Sequence, residues 1–315
     1  MQLLNKISFE EASIDVSLLP DIWGGVFFHP AFIGPASQSQ HLRDGCIAIK
    51  SDKYPVAAGN FLYKSRPIFT VSTLPMLFQY YGIILLNSES GPVVFPAFEK
   101  YLSNHYDFVY LSFPPGIDID SMPKGWTCIP QVTPVITGSD LKSWGARFRD
   151  DVKNKIRKAR RERIEIAEGT EFPTELWRMT FKRKGLTTPI DPAALSNWCR
   201  SLTQSSILKL YLAKIDGQPI AFRGQLIWGG FAYDWIAGSD SEYHATGANQ
   251  LLMATIGDEL VKLNLTAWDL VGGQIGSIAD FKKSFGAIEL THFHAYKSFN
   301  YKGRFFQVLR RFRHG

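Results

Sequence analysis

Leu208-Lys209-Leu210-Tyr211-Leu212-Ala213-Lys214-Ile215, then Asp216-Gly217-Gln218-Pro219, then Ile220-Ala221-Phe222-Arg223-Gly224-Gln225-Leu226-Ile227-Trp228 is the run that decides how the chain reads. Two apolar runs rich in β-branched and aromatic residues, separated by Asp-Gly, predict an antiparallel hairpin, because Asp and Gly adopt the conformations a tight reversal needs. The pattern occurs again upstream. Cys46 to Lys50 reads as a strand, Ser51-Asp52-Lys53-Tyr54-Pro55 as a turn and Val56 to Tyr63 as the return. Both copies place Pro, then Val or Ile, then Ala directly after the turn.

The likeness continues downstream of each hairpin. Tyr80 to Leu86 reads as a strand, Val93 to Asn104 as a helix, and Phe108 to Phe113 as a buried strand running into Pro114-Pro115-Gly116. In the second copy the same order is Ala232 to Ser239, Ala248 to Leu263, and Thr266 to Val271 running into Gly272-Gly273. Hairpin, strand, crossing helix and neighbouring strand make an α/β (α+β) unit on a mixed sheet. The repeat therefore predicts two tandem domains, residues 1–137 and 138–300, the first degenerate. Residues 301–315, with Phe305, Val308, Leu309 and Phe312 on one side, form a basic amphipathic segment expected to dock on the first domain.

Composition agrees with a globular chain. With 315 residues, 45% hydrophobic and 20% charged, there is enough apolar material for two cores. Lys and Arg number 35 against 29 Asp and Glu, and the net +6 favours polyanionic partners. Cys46, Cys128 and Cys199 stand far apart without a CxxC pair, which excludes a zinc site by spacing and points to a reduced, cytoplasmic compartment. His292 and His294 share a strand face without a third ligand, so no metal is expected. The opening residues hold too short an apolar run for a signal peptide, and no window approaches the roughly 18 apolar residues of a membrane span. The expectation is a soluble chain, with peripheral contact at an acidic membrane surface as the option its basic last segment offers.

Between the copies, Ser139 and Asp140 read as helix caps, and Trp144, Phe148, Val152 and Ile156 recur every fourth residue as the apolar stripe of one long helix. Its end is basic: Lys153, Lys155, Arg157, Lys158, Arg160, Arg161 and Arg163. Such a run is either a solvated helix end or a phosphate-binding face. Between Glu165 and Leu208, Pro173, Pro189 and Pro192 interrupt short helices.

Lys155-Ile156-Arg157-Lys158-Ala159-Arg160, Gly217-Gln218-Pro219-Ile220-Ala221 and Ala237-Gly238-Ser239 occur in an order that resembles the Fem-like transferases of the acetyltransferase-fold (GNAT) superfamily. Gly247-Ala248-Asn249-Gln250-Leu251-Leu252, Trp268-Asp269-Leu270 with Gly272-Gly273, and Phe281-Lys282-Lys283-Ser284-Phe285-Gly286-Ala287 continue it. The resemblance implies two acyl-CoA N-acyltransferase-like domains and transfer of an acyl or aminoacyl group to an amine, from coenzyme A or from tRNA. It implies acyl-CoA as donor substrate at Gly238, Ser239, Gly247, Ala248 and Asn249, where a glycine and a helix start offer backbone N–H groups to a pyrophosphate. His244-Ala245-Thr246-Gly247-Ala248-Asn249 departs from the family's Gln/Arg-x-x-Gly-x-Gly/Ala at its first and last places. A phosphorylated substrate is expected at Lys155, Arg157 and Lys158, and at Lys282 with Phe285; the arm-less subgroup fits the short helices before Leu208.

Proton transfer from an attacking amine needs a nearby acceptor, and Asp269, Asp234 and Tyr243 are the candidates, Asp269 lying at a strand end before Gly272-Gly273. Three function classes follow. The first is an acyl-CoA-dependent N-acyltransferase acting on an amine of a cell-envelope or polysaccharide precursor, and the second an aminoacyl-tRNA-dependent transferase acting on a peptidoglycan-like precursor. The third is a non-catalytic binding subunit of a polysaccharide assembly system.

Overall fold

The computed structural model describes residues 7–12, 15–19, 21–183, 185–274 and 276–314, with the side chains of the last helix as far as Arg310. The chain divides into two compact units, Met1–Gln131 with Thr291–Gly315, and Val132–Leu290.

The first unit opens with β1 (Ile7–Glu11), α1 (Pro30–Ser39), β2 (Arg43–Ser51) and β3 (Tyr54–Ser65). The expected upstream hairpin is β2 against β3, antiparallel from Arg43↔Tyr63 to Ser51↔Tyr54. β4 (Thr70–Ser72) and β5 (Gly82–Leu85) both pair with β3, and α2 (Gly91–His105) leads to β6 (Phe108–Phe113), which runs parallel to β4. In α2 the buried residues Val94, Phe95, Phe98 and Leu102 recur at helical spacing. They close over Ile47, Ile49, Phe61 and Ile83 of the sheet.

The second unit starts within β7 (Thr127–Thr137) and continues through α3 (Gly138–Leu141), α4 (Asp150–Arg161), β8 (Glu165–Gly169), α5 (Thr174–Lys182) and α6 (Pro192–Gln204). β9 (Leu208–Ile215) and β10 (Gln218–Trp228) follow, and then β11 (Phe231–Ser239), α7 (Ala248–Leu260), β12 (Ala267–Asp269) and α8 (Gly276–Lys283). The order across this unit's sheet is β7-β12-β11-β10-β9-β8, antiparallel except where β11 meets β12. At the β9–β10 turn, Asp216 (φ 49°) and Gly217 (φ 78°) are both left-handed. That is the mirror-image two-residue turn whose twist matches its strands, and it explains why Asp-Gly marked the hairpin.

The long helix expected from Ser139 onward is three pieces. α3 is capped by the Thr137 hydroxyl, a single 3-10 turn spans Trp144–Arg147, and α4 begins only after Phe148 and Arg149, which are extended. The Arg149 N–H donates to the Ser284 carbonyl at 2.9 Å instead of continuing a helix. The apolar stripe is buried nonetheless. Trp144 donates its Nε1–H to the Ala254 carbonyl at 3.2 Å and stacks against Phe285, and Val152 and Ile156 join the same core. Seating two aromatic rings here outweighs the few hydrogen bonds that a continuous helix would add.

The chain completes the first unit with β13 (Ile288–Ser298), paired antiparallel with β6 from Phe293↔Phe113 to Ser298↔Phe108, and α9 (Tyr301–His314). Asn300 starts α9 by accepting from the N–H groups of Lys302 and Gly303 at 3.0 and 3.1 Å. Phe306 packs against the rings of Phe69 and Phe108, so this segment docks on the first unit. Within β13 it is Phe293–Ser298 that pair with β6.

Candidate functional site

β11 and β12 run parallel for three residue pairs, Phe231↔Ala267 to Tyr233↔Asp269. β12 then ends, whereas β11 continues to Ser239 while bonded to β10 on its other edge. Beyond Tyr233, no strand among the described residues of this unit pairs with the β12-facing edge of β11. The two strands splay, and the wedge opens into a cavity of about 470 Å³. Asp234, Trp235, Gly238 and Ser239 form its β11 wall, and Val271, Gly272, Phe281 and Lys282 stand opposite. A β-bulge at Trp235 shifts the register, so that Gln225 faces Asp234 while Gly224 faces Ile236. Such a bulge bends the strand and re-aims its side chains.

A buried charged cluster sits in this wall. Arg223 and Gln225, two apart on β10, share one face with Asp234. Arg223 Nη1 donates to Asp234 Oδ2 at 2.5 Å, and Gln225 Nε2 donates to Asp234 Oδ1 at 2.8 Å. Gln225 Oε1 in turn accepts from Trp268 Nε1 at 2.9 Å. Lys282 Nζ lies 3.4 Å from Asp234 Oδ2 and donates to the Leu270 carbonyl and, at 3.0 Å, to the Val271 carbonyl. Burial pushes the Asp234 carboxyl upward, but the charges of Arg223 and Lys282 and the two hydrogen bonds outweigh it and hold the group below its ordinary value. Burial pulls the Lys282 amine below the ordinary lysine value; Asp234 opposes this and Arg223 adds to it. Three acceptors around Nζ match the three N–H bonds of an ammonium.

Asp269 lies deeper. It is fully buried, accepts the Thr133 hydroxyl at 2.5 Å and the Val271 N–H at 2.9 Å, and does not border the cavity. Val271 holds a left-handed φ of 48°, unusual for a β-branched residue. Asp269 on its N–H and Lys282 on its carbonyl fix the turn that carries β12 away from β11.

At the far end of the cavity α7 begins. The Ala248 N–H donates to the Thr246 hydroxyl at 3.2 Å, whereas the N–H groups of Asn249 and Gln250 in the first turn have no partner among the described residues. Asn249 and Gln250 border the cavity. Gly247, left-handed at φ 86°, approaches something other than open space: a Cβ there would lie 2.3 Å from the Lys155 carbonyl oxygen of α4. Tyr243 packs on the α7 core, and Phe285 is fully buried between Trp144 and Phe148. Lys158 donates to the Ala245 carbonyl at 2.8 Å and pairs with Glu162; Lys155 and Arg157 are exposed and do not border the cavity. Of the residues singled out by sequence, Asp234, Gly238, Ser239, Asn249 and Lys282 thus meet around one space, while Asp269, Tyr243, Gly247, Ala248, Phe285, Lys155, Arg157 and Lys158 stand behind or beside it.

Sequence reasoning passed over Arg223, Gln225, Arg183 and His244. His244 Nε2 lies 3.0 Å from both the Ser239 hydroxyl and Arg183 Nη1 at the cavity's edge. Burial, then the Arg183 charge, lowers the imidazole below its ordinary value against the opposing pull of Asp240, so it is neutral at pH 7.

The fold places these features among known proteins. Residues 146–283 match the acetyltransferase (GNAT) domain family Acetyltransf_6, and the crystal structure of FemX superposes with a TM-score of 0.69 at 11% identity, covering 93% of this chain and 96% of that one. Over those residues the chain is similar to GNAT acetyltransferase domains, and its fold is similar to that of FemX. A tandem GNAT protein from the clavulanic acid biosynthesis pathway is similar in fold at TM-score 0.55 and 8% identity, covering 94% of this chain and 99% of that one. So is a C-terminal domain ascribed to a lysylphosphatidylglycerol synthetase from Agrobacterium fabrum, at TM-score 0.58 and 11% identity, covering 90% and 92%. No curated protein sequence matches the chain. The match to the GNAT domain family supports acyl transfer as the general class of reaction. Among the described residues, no helix is long and apolar enough to cross a membrane.

Proposed function

We propose that the chain is an N-acyltransferase that moves an acyl group from acyl-CoA to an amine of a cell-envelope or polysaccharide precursor. The wedge between β11 and β12 carries this reading. Its β11 edge, which β12 covers only as far as Tyr233, offers backbone groups to an extended, amide-bearing arm in the manner of an added strand. The unpartnered N–H groups of Asn249 and Gln250 suit the anionic end of such a donor. Arg223 borders the same space with its Nε–H buried and without a partner among the described residues, a donor suited to a carbonyl or phosphate oxygen.

In the reaction the amine nitrogen attacks the thioester carbonyl, the C–N bond forms, the C–S bond breaks and the thiolate leaves. The amine proton passes to an acceptor in reach, and neutral His244 suits that role better than Asp234, whose charge is already committed to Arg223 and Lys282. The test is thermal unfolding with acetyl-CoA, coenzyme A and tRNA, followed by thiol release with a panel of amino sugars and amine-bearing envelope precursors. A donor at about 100 times its dissociation constant adds roughly 2.7 kcal/mol. Stabilisation by acetyl-CoA together with amine-dependent thiol release supports the proposal; the absence of any shift favours a non-catalytic binding subunit.

One observation favours a second reading, an aminoacyl-tRNA donor acting on a peptidoglycan-like precursor. The exposed Lys155, Arg157, Arg160 and Arg161 stand on α4, which Lys158 ties to the turn leading into α7. A polyanion laid along α4 would reach the same end of the cavity. Stabilisation by tRNA, steeply weakened by salt, would select it.

A further inference from the structure

α9 has two faces, and docking on its own unit accounts for one of them. Phe306 meets Phe69 at 5.3 Å and Phe108 at 5.2 Å, Gln307 bonds the Ser298 hydroxyl at 3.0 Å, and the Arg310 guanidinium lies 4.8 Å over the Tyr110 ring. Away from that face, Tyr301, Phe305, Val308 and Leu309 recur at i, i+4, i+7 and i+8 and are 77%, 50%, 49% and 41% exposed. A lone exposed apolar residue is ordinary, but four in one stripe of one helix leave an unpartnered surface.

Charge selects what covers it. Residues 301–315 contain Lys302, Arg304, Arg310, Arg311 and Arg313 and no Asp or Glu, so this segment alone carries +5 of the chain's net +6. The loop that supplies Phe69 leaves Ile68 58% exposed beside the exposed cations Lys64 and Arg66. A second copy of the chain would bring two such cationic faces together, which like-charge repulsion opposes. An apolar stripe on a helix that carries cations and no carboxylate of its own matches the boundary between phosphates and acyl chains.

We propose that the exposed face of α9 seats the protein on a bilayer surface containing anionic lipid, with Phe305, Val308 and Leu309 at the acyl boundary and Lys302 and Arg304 toward phosphate groups. The proposal does not depend on which acyl donor is used. The test is co-sedimentation of the full chain with vesicles of phosphatidylcholine alone and of phosphatidylcholine mixed with an equal part of phosphatidylglycerol, at low and high salt. The expected result is binding to the mixed vesicles, weakened by salt, with little to phosphatidylcholine. The double variant Phe305→Ser, Val308→Ser should reduce partition on the order of tenfold while its melting temperature stays that of the unsubstituted chain. Failure to bind the anionic vesicles, or binding that the double variant leaves intact, overturns the proposal. So does a concentration-dependent dimer that the same variant dissociates, since the occupant is then a second copy.

Discussion

Replacing Lys282 with Met asks whether this lysine is a substrate ligand or the pin that sets the wedge. Met nearly conserves volume, so little cavity cost enters. Two buried carbonyls, Leu270 and Val271, lose their donor, at about 1–3 kcal/mol for each buried group left unsatisfied. Asp234 keeps Arg223 and Gln225, so the full cost of orphaning a buried charge, about 3–5 kcal/mol, does not apply. Removing a buried ammonium returns part of the loss, and a net destabilisation of about 2–4 kcal/mol results. At roughly 2–4 °C per kcal/mol for a chain of this order of size, the melting temperature should fall by about 4–16 °C. Lys283→Ala is the control: Lys283 is exposed and pairs only with an exposed Glu289, so its loss should cost under about 1 kcal/mol. Urea unfolding of both variants, with slopes compared, supplies the numbers. Because the amine is held below its ordinary value in the folded state, the unfolded chain binds more protons in the window beneath 10.5. Stability should therefore rise with pH through that window, and the slope should vanish in Lys282→Met. If Lys282→Met unfolds like the unsubstituted protein, the three acceptors around Nζ contribute nothing and the pinning argument is wrong.

Gly247→Ala should destabilise by about 2 kcal/mol or more whether or not a donor binds, because a left-handed backbone and a Cβ 2.3 Å from the Lys155 carbonyl oxygen both oppose it; loss of donor affinity with an unchanged urea midpoint would contradict this. His244→Gln should lower turnover without shifting the melting temperature, and in the unsubstituted protein the acid limb of the pH–rate profile should lie below the ordinary histidine value of 6.5; an unchanged rate removes His244 from proton transfer. Burial lowers the His292 imidazole to about 4, against the weaker raising effect of the hydrogen bond its ring donates to the Phe113 backbone. The His294 imidazole is lowered to about 4 as well, so the unfolded chain binds more protons between pH 6.5 and 4 and stability should fall as pH drops through that interval, on the order of 3 kcal/mol for each imidazole; a melting temperature that is flat from pH 7 to 4.5, or a slope that His292→Phe leaves undiminished, would contradict the assignment.

What could be read from sequence was local. Asp216-Gly217 announced its hairpin because two left-handed residues leave few other choices, and α2 and α7 followed from helical periodicity and a glycine start. Pairing was not legible. Thr266 to Val271 reads as a six-residue strand, yet only Ala267–Asp269 pairs, because Val271 is turned left-handed by groups on distant elements, Asp269 and Lys282. The continuous helix through Trp144 failed for a similar reason: its periodicity was genuine, but Arg149 found its hydrogen-bond partner in Ser284. Within the site, Arg223 and Gln225 did leave a signal, two polar residues alternating on one face of the otherwise apolar run Ile220 to Trp228. A buried strand with a polar face asks where its partners are, and Asp234 is the answer.

That answer also bears on the chemistry. A carboxylate held below its ordinary value by two cations is a weak base. Such a carboxylate is a poorer acceptor for an ammonium proton than an ordinary aspartate. His244, lowered but still an imidazole, faces a smaller deficit. On the proposed reading the cluster bears on the amine in another way: two cationic side chains, Arg223 and Lys282, stand against the single carboxylate of Asp234. A substrate ammonium brought beside it is disfavoured relative to the neutral amine, which shifts the acceptor toward its nucleophilic form before any side chain takes the proton. Asp234 on this account is a positioning residue, fixing Arg223 at the wedge and leaving proton transfer to His244 and solvent. If the proposed N-acyl transfer holds, the wedge geometry and the charge of its wall would work in the same direction, toward attack by a neutral amine on a carbonyl whose developing negative charge the Arg223 side of the cavity would favour.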